Sequence, residues 1–309
     1  MKKALLYSIV VILMVSCGNQ KRDRDILPVV PEGAEAVSVS GEPLYSVQPS
    51  TSVKERHSIA REAWEADMTD ADNLIWYGRW AAYAGEYREA IRIFTMGIER
   101  FPDDARIYRH RGHRYITIRE FERAVKDFEI AAAMTSGKED EVEPDGMPNA
   151  LNIPVSTLQS NIYYHLGLAR YLLGDTESAL NAWDSDMALA VNDDMTVATL
   201  HWIYMALREL GRDTDAAARL EVITADMNVI ENQAYYKLCL FYKGEITQDE
   251  LTGDEHSDIM NDAMLYGLGN WYQYSGDPQK AEEYFNKIID AGAWASFGYI
   301  SAEMKLASK

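Results

Sequence analysis

The sequence predicts an all-α protein, a right-handed α-solenoid of about six helical hairpins with capping helices at its ends. One phrase carries this prediction, in which Gly112, Tyr115, Ala124, Phe128 and Ala131 stand at fixed spacings. Its skeleton of small, aromatic and alanine positions recurs along the chain at a step of about 34 residues. Repeats of this length bury their apolar faces against their neighbours, so the stack is expected to form one domain.

The amino-terminal residues resemble the signal of a bacterial lipoprotein. Lys2 and Lys3 precede an apolar stretch that is too short for a permanent membrane helix, and Cys17 follows a small residue as in a lipobox. The resemblance implies that residues 1–16 are a cleaved signal peptide and that Cys17 is lipidated, with palmitate among its acyl chains. Several acyl chains on one residue anchor a protein stably. The expected location is the bacterial cell envelope, at the outer membrane, facing the periplasm or the cell surface.

Residues 17–52 are predicted to be a flexible tether between the lipid and the folded body. Four prolines interrupt this stretch, and its scattered polar residues show no sustained period. The solenoid domain is then expected over residues 53–309. It begins with a helical pattern over 53–67, which supplies half a repeat and caps the stack.

The hairpins follow in order along the chain. The repeat near Ile230 departs from the pattern after Gly244, where Glu-Ile-Thr-Gln-Asp-Glu-Leu replaces the usual second helix. The pattern resembles the tetratricopeptide repeat (TPR), and the resemblance implies that the first helix of each hairpin lines a concave groove. Full repeats are predicted at 71–104 and 105–138, later repeats begin near Ser160, Val197, Ile230 and Asp262, and a last helix spans 293–307.

A loop insertion over residues 139–159 separates the second hairpin from the third. It begins with the acidic run Glu139-Asp140-Glu141-Val142-Glu143-Pro144-Asp145. A loop of this length inside a tight array is uncommon and is more often functional than neutral. We therefore expect it to act as a lid on the groove or to pair with basic residues of the helices.

The composition excludes some classes of partner. The chain carries 49 acidic and 30 basic residues, a formal net charge of -19, which makes nucleic acid a poor partner. Cleavage of the signal would remove Lys2 and Lys3 and make this charge more negative. Cys239 lies in an apolar stretch and is expected to be a buried structural thiol.

Against this acidic background, the TPR resemblance places cations and aromatic rings on the inner face of the first helices. Apart from Asp72, no acid matches these cations on the same face. Because arginine binds carboxylates through two parallel hydrogen bonds, the partner is expected to present an anionic group. The alternative is that the arginines, Arg109 above all, pair with Glu141 or Glu143 of the loop. The predicted ligand-binding residues are Arg79, Tyr83, Arg106, Arg109, His113, Tyr164, Tyr171, His201 and Arg208.

Metal binding and catalysis receive little support from the sequence. His110 and His113 lie one helical turn apart, but no Glu or Cys nearby completes a ligand set. No nucleophile–base spacing or phosphate-binding glycine loop is present, so an enzyme using His113 and His201 is the weakest hypothesis. We predict no cofactor and no enzymatic activity.

The region 233–306 resembles the carboxyl-terminal half of NlpI-type TPR lipoproteins. The resemblance rests on Phe-Tyr-Lys-Gly-Glu-Ile-Thr-Gln-Asp-Glu-Leu at 241–251, the repeat that follows it and the helix from Trp294 to Leu306. It implies a dimeric outer-membrane adaptor that brings a periplasmic protease to murein hydrolases. The loop 139–159 and the Arg/His cluster at 108–115 depart from that family.

Two functions remain as hypotheses. The first is a membrane-anchored adaptor or scaffold that binds a protein or peptide segment in its concave groove. The second is a lipoprotein that binds a small molecule or glycan in a pocket closed by the loop 139–159. An open channel would favour the first hypothesis, and a deep enclosed cavity would favour the second.

Overall fold

The computed structural model describes residues 27–253 and 262–308, and nearly all regular structure there is helical. The predicted signal peptide and Cys17 lie outside the described residues. The strands are β1 (Ala36–Val37) and β2 (Pro43–Leu44). The helices are α1 (Thr51–Ala66), α2 (Ala71–Tyr83), α3 (Tyr87–Arg100), α4 (Ala105–Thr117), α5 (Phe121–Thr135), α6 (Leu158–Leu172), α7 (Thr176–Met187), α8 (Asp193–Glu209), α9 (Asp213–Arg219), α10 (Gln233–Lys243), α11 (Gln248–Thr252), α12 (Asp262–Tyr274), α13 (Pro278–Ala291) and α14 (Phe297–Ala307).

Consecutive helices pair as antiparallel hairpins, which confirms the predicted all-α solenoid. Glycine at the small position of the first helix lets the aromatic ring of the second helix approach. A Cβ atom on Gly78 would lie 2.5 Å from Cε1 of Phe94, and one on Gly112 would lie 3.0 Å from Cζ of Phe128. The helices of these hairpins therefore touch where the repeat pattern predicted.

The fourth and fifth hairpins have shortened second helices. Helix α9 is followed by a single 3-10 turn at Leu220–Val222, and α11 contains 5 residues. The irregular segment before α10 is fixed by Asp194, whose carboxylate accepts hydrogen bonds from the amides of Ile230, Glu231 and Asn232. The short helix α11 confirms that the fifth repeat departs from the pattern after Gly244.

Helix α14 crosses the concave side and contacts first helices from several hairpins. The ring of Phe297 lies 5.1 Å from that of His113 in α4 and 5.4 Å from that of His165 in α6. Near the other end of α14, Lys305 forms a 2.6 Å ion pair with Glu209 of α8. Helix α14 also packs along α12. The chain therefore fills much of its own groove, which the repeat pattern did not predict.

Residues 27–52 also differ from the prediction, which made residues 17–52 a flexible tether, and residues 17–26 lie outside the described part of the chain. Residues 36–37 and 43–44 form an antiparallel pair, and Ala36 and Leu44 are buried. The indole nitrogen of Trp294 donates a 2.8 Å hydrogen bond to the carbonyl of Tyr45, and the Val39 amide donates to Glu303. Strands of two residues are too short to produce a period in the sequence. Helix α1 begins at Thr51, two residues before the predicted start.

Candidate ligand-binding site

The loop between the second and third hairpins runs across the first helices α2 and α4. It extends from residue 136, after α5, to residue 157, before α6. We call residues 136–157 the linker. Val142 and Thr157 form an isolated antiparallel bridge, and the Leu158 amide donates a 2.8 Å hydrogen bond to the Glu141 carbonyl. The acidic run is thereby held over the basic cluster of α4.

Glu143 of the linker is the counter-ion of Arg109. Its carboxylate lies 3.1 Å from Nε of Arg109 and 3.6 Å from Nε2 of His110, and each of the three side chains is at most 10% exposed. Asn161 at the start of α6 donates a 3.1 Å hydrogen bond to the same carboxylate. Pairing between Arg109 and the linker, the alternative raised by the sequence, is therefore what the structure shows.

Arg79 in α2 holds the next part of the linker. Its Nη1 donates a 2.7 Å hydrogen bond to the carbonyl of Pro144, and its guanidinium lies 4.3 Å from the ring centroid of Trp76. Gly146 packs closely on this surface, since a Cβ atom there would lie 2.7 Å from Cε2 of Tyr83. A side chain at residue 146 would therefore require the ring of Tyr83 to shift.

A cavity of about 180 Å³ remains between the linker and the helices. Three guanidinium groups, those of Arg79, Arg109 and Arg114, line it, together with the two carboxylates of Glu143 and Asp145. The cavity walls therefore carry one more positive charge than negative charge. The other lining residues are Ala82, Tyr83, Phe94, His110, His113, Pro144, Ser156 and Asn161.

The histidines around this cavity are neutral. Burial and the neighbouring arginines lower the pKa values of His110, His113 and His165 well below the ordinary value for histidine. Neutral rings can donate or accept a hydrogen bond without adding charge. Within residues 27–253 and 262–308, no group of His, Cys, Asp and Glu side chains is arranged to hold a metal ion.

Four of the predicted site residues meet at the cavity, namely Arg79, Tyr83, Arg109 and His113. Arg106 does not line it. The guanidinium of Arg106 forms 2.7 Å ion pairs with Asp72 and with Asp104, the residue that caps α4, so two acids already surround its charge. The repeat positions include Asp72 but not the capping residue Asp104, which precedes the helix.

The remaining predicted residues lie in packed regions away from the cavity. The hydroxyl of Tyr164 accepts a 2.7 Å hydrogen bond from the indole nitrogen of Trp202. Tyr171 is buried beside α14, and its hydroxyl lies 2.9 Å from that of Tyr266. These tyrosines pack against other hairpins because the concave side is filled in this half of the solenoid.

His201 and Arg208 on α8 are also engaged by the protein itself. His201 is fully buried, its ring lies 4.8 Å from that of Tyr235, and burial lowers its pKa to about 3. Arg208 forms a 2.8 Å ion pair with Asp213 and lies over the ring of Tyr274. The structure places neither residue beside the arginine cavity.

Arg114 is the functional candidate that the sequence analysis missed. It is partly buried at the cavity and lies 5.8 Å from the ring centroid of Tyr87, and burial lowers its pKa to about 10. It therefore stays charged at neutral pH. The repeat-position rule selects His113 but not the next residue, although the Arg/His cluster at 108–115 contains both.

Comparison with known protein families identifies one repeat near the carboxyl end of the chain. A model of the tetratricopeptide repeat matches residues 262–291, which include α12 and α13. This segment is a TPR. No curated protein matches the sequence of this chain. Among the described residues, no helix combines the length and the apolarity that a membrane span requires.

Several solved structures are similar to this chain at low sequence identity. YrrB, described as a TPR protein with an unusual peptide-binding site, is 19% identical, with 76% of this chain and 92% of YrrB covered and a TM-score of 0.43. MamA is 16% identical, with 62% and 90% covered and a TM-score of 0.43. The Cut9–Hcn1 assembly of APC/C gives 14% identity, 83% and 46% coverage and a TM-score of 0.49.

Proposed function

We propose that the protein is a TPR-type interaction scaffold that binds an acidic segment of a partner protein at the arginine cavity. One observation carries this proposal. The cavity gathers three guanidinium groups and only two carboxylates in a chain whose formal net charge is -19. Such a local excess of positive charge attracts an anionic group and orients it.

The size of the cavity favours part of a larger ligand. Pockets for whole small molecules typically measure about 300 to 1,000 Å³, whereas this cavity measures about 180 Å³. A single acidic side chain or a chain terminus fits that space. We therefore assign the site to a carboxylate that a protein or peptide presents.

The position of α14 limits where the partner segment lies. Contacts of Phe297 with His113 and His165, and of Lys305 with Glu209, occupy the surface of α4, α6 and α8. A segment running through the whole groove would have to displace this helix. We place the partner on α2, α4 and the linker instead.

The test removes two of the three arginines. The double variant Arg79→Ala/Arg109→Ala is expected to weaken binding of the partner by about 2 to 5 kcal/mol, because desolvated charge pairs contribute on that scale. The partner is first captured from envelope extracts with the wild type, and its affinity for each variant is then measured by calorimetry. Unaltered affinity together with a lowered melting temperature would show that these arginines only hold the linker.

A matched control uses the same helix. Arg106 lies on α4 outside the cavity and pairs with Asp72 and Asp104. Arg106→Ala is therefore expected to leave partner affinity unchanged. An equal loss with this variant would point to a general effect of charge on α4 rather than to the cavity.

We further propose, from the lipobox resemblance, that Cys17 anchors the scaffold in the outer membrane and that the adaptor is a homodimer, as in the NlpI-type proteins it resembles. Metabolic labelling with a palmitate analogue is expected to mark the wild type and not Cys17→Ser, because the thiol is the acylation point in the signal. Lipid uptake by the serine variant would refute the anchor.

A second candidate function is the binding of a small anionic molecule or glycan under the linker. The linker contacts of Arg79 and Arg109 favour it, since they leave the cavity partly enclosed. This function predicts binding by a free ligand while the linker stays in place. The protein-partner function instead predicts that the linker moves aside.

A further inference from the structure

We propose that Arg114 is the residue that a ligand carboxylate neutralises in the arginine cavity. This inference rests on the proposed function and adds the contact residue and the charge of the ligand group. Its basis is a difference among the three arginines. The linker supplies a carboxylate to Arg109 and a carbonyl to Arg79, whereas no residue of the described ranges supplies either to the side chain of Arg114.

The contacts of each guanidinium show this difference. Arg109 lies 3.1 Å from the carboxylate of Glu143, and Arg79 donates a 2.7 Å hydrogen bond to the carbonyl of Pro144. Within residues 27–253 and 262–308, the guanidinium of Arg114 forms no ion pair and no side-chain hydrogen bond, and it lies 5.8 Å from the ring centroid of Tyr87. A partly buried cation without a partner is costly, because desolvation is not offset by an opposite charge.

The electrostatic surroundings of Arg114 point in the same direction. The charged groups that act on it most strongly are Arg109 and Arg79, and both are cations that repel it. The neighbouring side chains of Tyr87 and Tyr83 raise the pKa of Arg114, but neither supplies a carboxylate. An anion beside Arg114 would remove this repulsion and restore charge balance in the cavity.

The surplus of one positive charge in the arginine cavity indicates which class of ligand group binds there. A carboxylate carries one negative charge and matches the planar fork of a guanidinium through two parallel hydrogen bonds. A phosphate monoester carries about 1.5 to 2 negative charges at neutral pH and would exceed the surplus. The charge balance of the cavity and the shape of the guanidinium therefore favour a monocarboxylate.

Two sources can supply this carboxylate, a free small acid or an acidic side chain of a partner protein. A free small acid needs no movement of the linker. An acidic side chain of a partner protein requires the linker backbone to move away from Arg79. Two probes separate them, sodium propionate and a blocked pentapeptide of Gly and Ser residues with one central Glu. If propionate binds while the linker stays in place, cleavage of the linker by a protease is expected to become slower. If the peptide binds by displacing the linker, this cleavage is expected to become faster.

The experiment follows the side-chain Nε–Hε resonance of Arg114 in the intact folded protein during titration with each probe. At least one probe is expected to shift it in a saturable way, and inorganic phosphate at the same ionic strength to have a smaller effect. Arg114→Met is expected to reduce affinity for the active probe by roughly tenfold to a hundredfold, as the loss of hydrogen bonds to a charged group predicts. Arg114→Lys, which keeps the charge, is expected to retain part of the affinity.

The stability of the free protein provides an independent readout. Because no residue in the described part of the chain forms an ion pair with Arg114, Arg114→Met is expected to raise the melting temperature while it reduces binding. Arg106→Met serves as the control and should leave probe affinity unchanged. Probe binding that survives Arg114→Met would overturn the inference, as would the absence of any saturable shift with both carboxylate probes. If Arg79→Ala/Arg109→Ala leaves partner binding intact but Arg114→Met abolishes probe binding, the proposed function fails and the carboxylate site remains.

Discussion

The ion pair between Arg119 and Glu303 is expected to hold α14 in the groove. Arg119 lies in the turn between α4 and α5, and its Nη2 and Nε donate hydrogen bonds of 2.8 and 3.0 Å to the carboxylate of Glu303 on α14. The other carboxylate oxygen accepts a 2.7 Å hydrogen bond from the Val39 amide. Replacing Glu303 by alanine therefore breaks contacts to two distant parts of the chain at once.

The expected loss of stability follows from burial. The side chains of Arg119 and Glu303 are 7% and 8% exposed. Removing one partner of a buried pair leaves an uncompensated charge and typically costs about 3 to 5 kcal/mol. For a folded body of this size, that corresponds to a fall in melting temperature of about 6 to 20 °C. Such a loss is several times larger than that from an exposed pair.

Denaturation by urea and hydrogen exchange measure the global and local parts of this effect. Glu303→Ala is expected to lower the unfolding midpoint and to reduce amide protection first in α14 and in the amino-terminal strands. Glu129→Ala is the control, because Glu129 pairs with Arg170 at 2.8 Å but is 53% exposed. That control is expected to cost at most about 1 kcal/mol. Equal midpoints for the two variants would refute the view that the buried pair fastens α14.

Two further predictions test the packing of the repeats and of α8. Gly112→Leu is expected to lower the free energy of unfolding by about 1 to 3 kcal/mol, because even a Cβ atom there would lie 3.0 Å from Phe128, while the exposed control Ala133→Leu should change it little. An unchanged urea midpoint for Gly112→Leu would contradict the repeat assignment. The pKa of His201 falls from 6.5 to about 3 in the folded state, so its stabilising effect is complete above pH 6.5 and is lost as pH decreases toward 3. Between pH 6.5 and 5, the free energy of unfolding of the wild type, measured by urea titration, is therefore expected to decrease by about 2 kcal/mol more than that of His201→Phe. Equal decreases in the two proteins would show that His201 is not buried as a neutral ring.

The repeat pattern predicted the hairpins because it records contacts between neighbouring helices. Gly78 and Phe94 are separated by a fixed number of residues in every such hairpin, so the sequence carries the contact directly. Helix α14 was predicted as a helix, but its place across the groove was not. That place depends on contacts such as Arg119 with Glu303, which join residues far apart in the chain and leave no period.

The candidate site was predicted in part for the same reason. Repeat positions identified Arg79 and Arg109 on adjacent first helices, and both line the cavity. His201 satisfied the same rule but is buried, because α10 packs against α8 and supplies Tyr235. Arg114 is important because its side chain forms no ion pair among the described residues. The path of the linker decides which arginine is paired with the carboxylate of Glu143.

Helix α14 and the linker both lie over the first helices of the hairpins, but they differ in how firmly they are held. Helix α14 is fastened by a buried ion pair and by aromatic packing, whereas the linker exposes most of its apolar side chains: Val142, Met147 and Leu151 are 62%, 59% and 63% exposed. Segments with few buried apolar contacts open at lower free energy than the body of a protein. A ligand that needs more room than the cavity offers therefore displaces the linker before α14. Access to Arg114 is then controlled mainly by the contacts of Glu143 and Pro144 with α4 and α2.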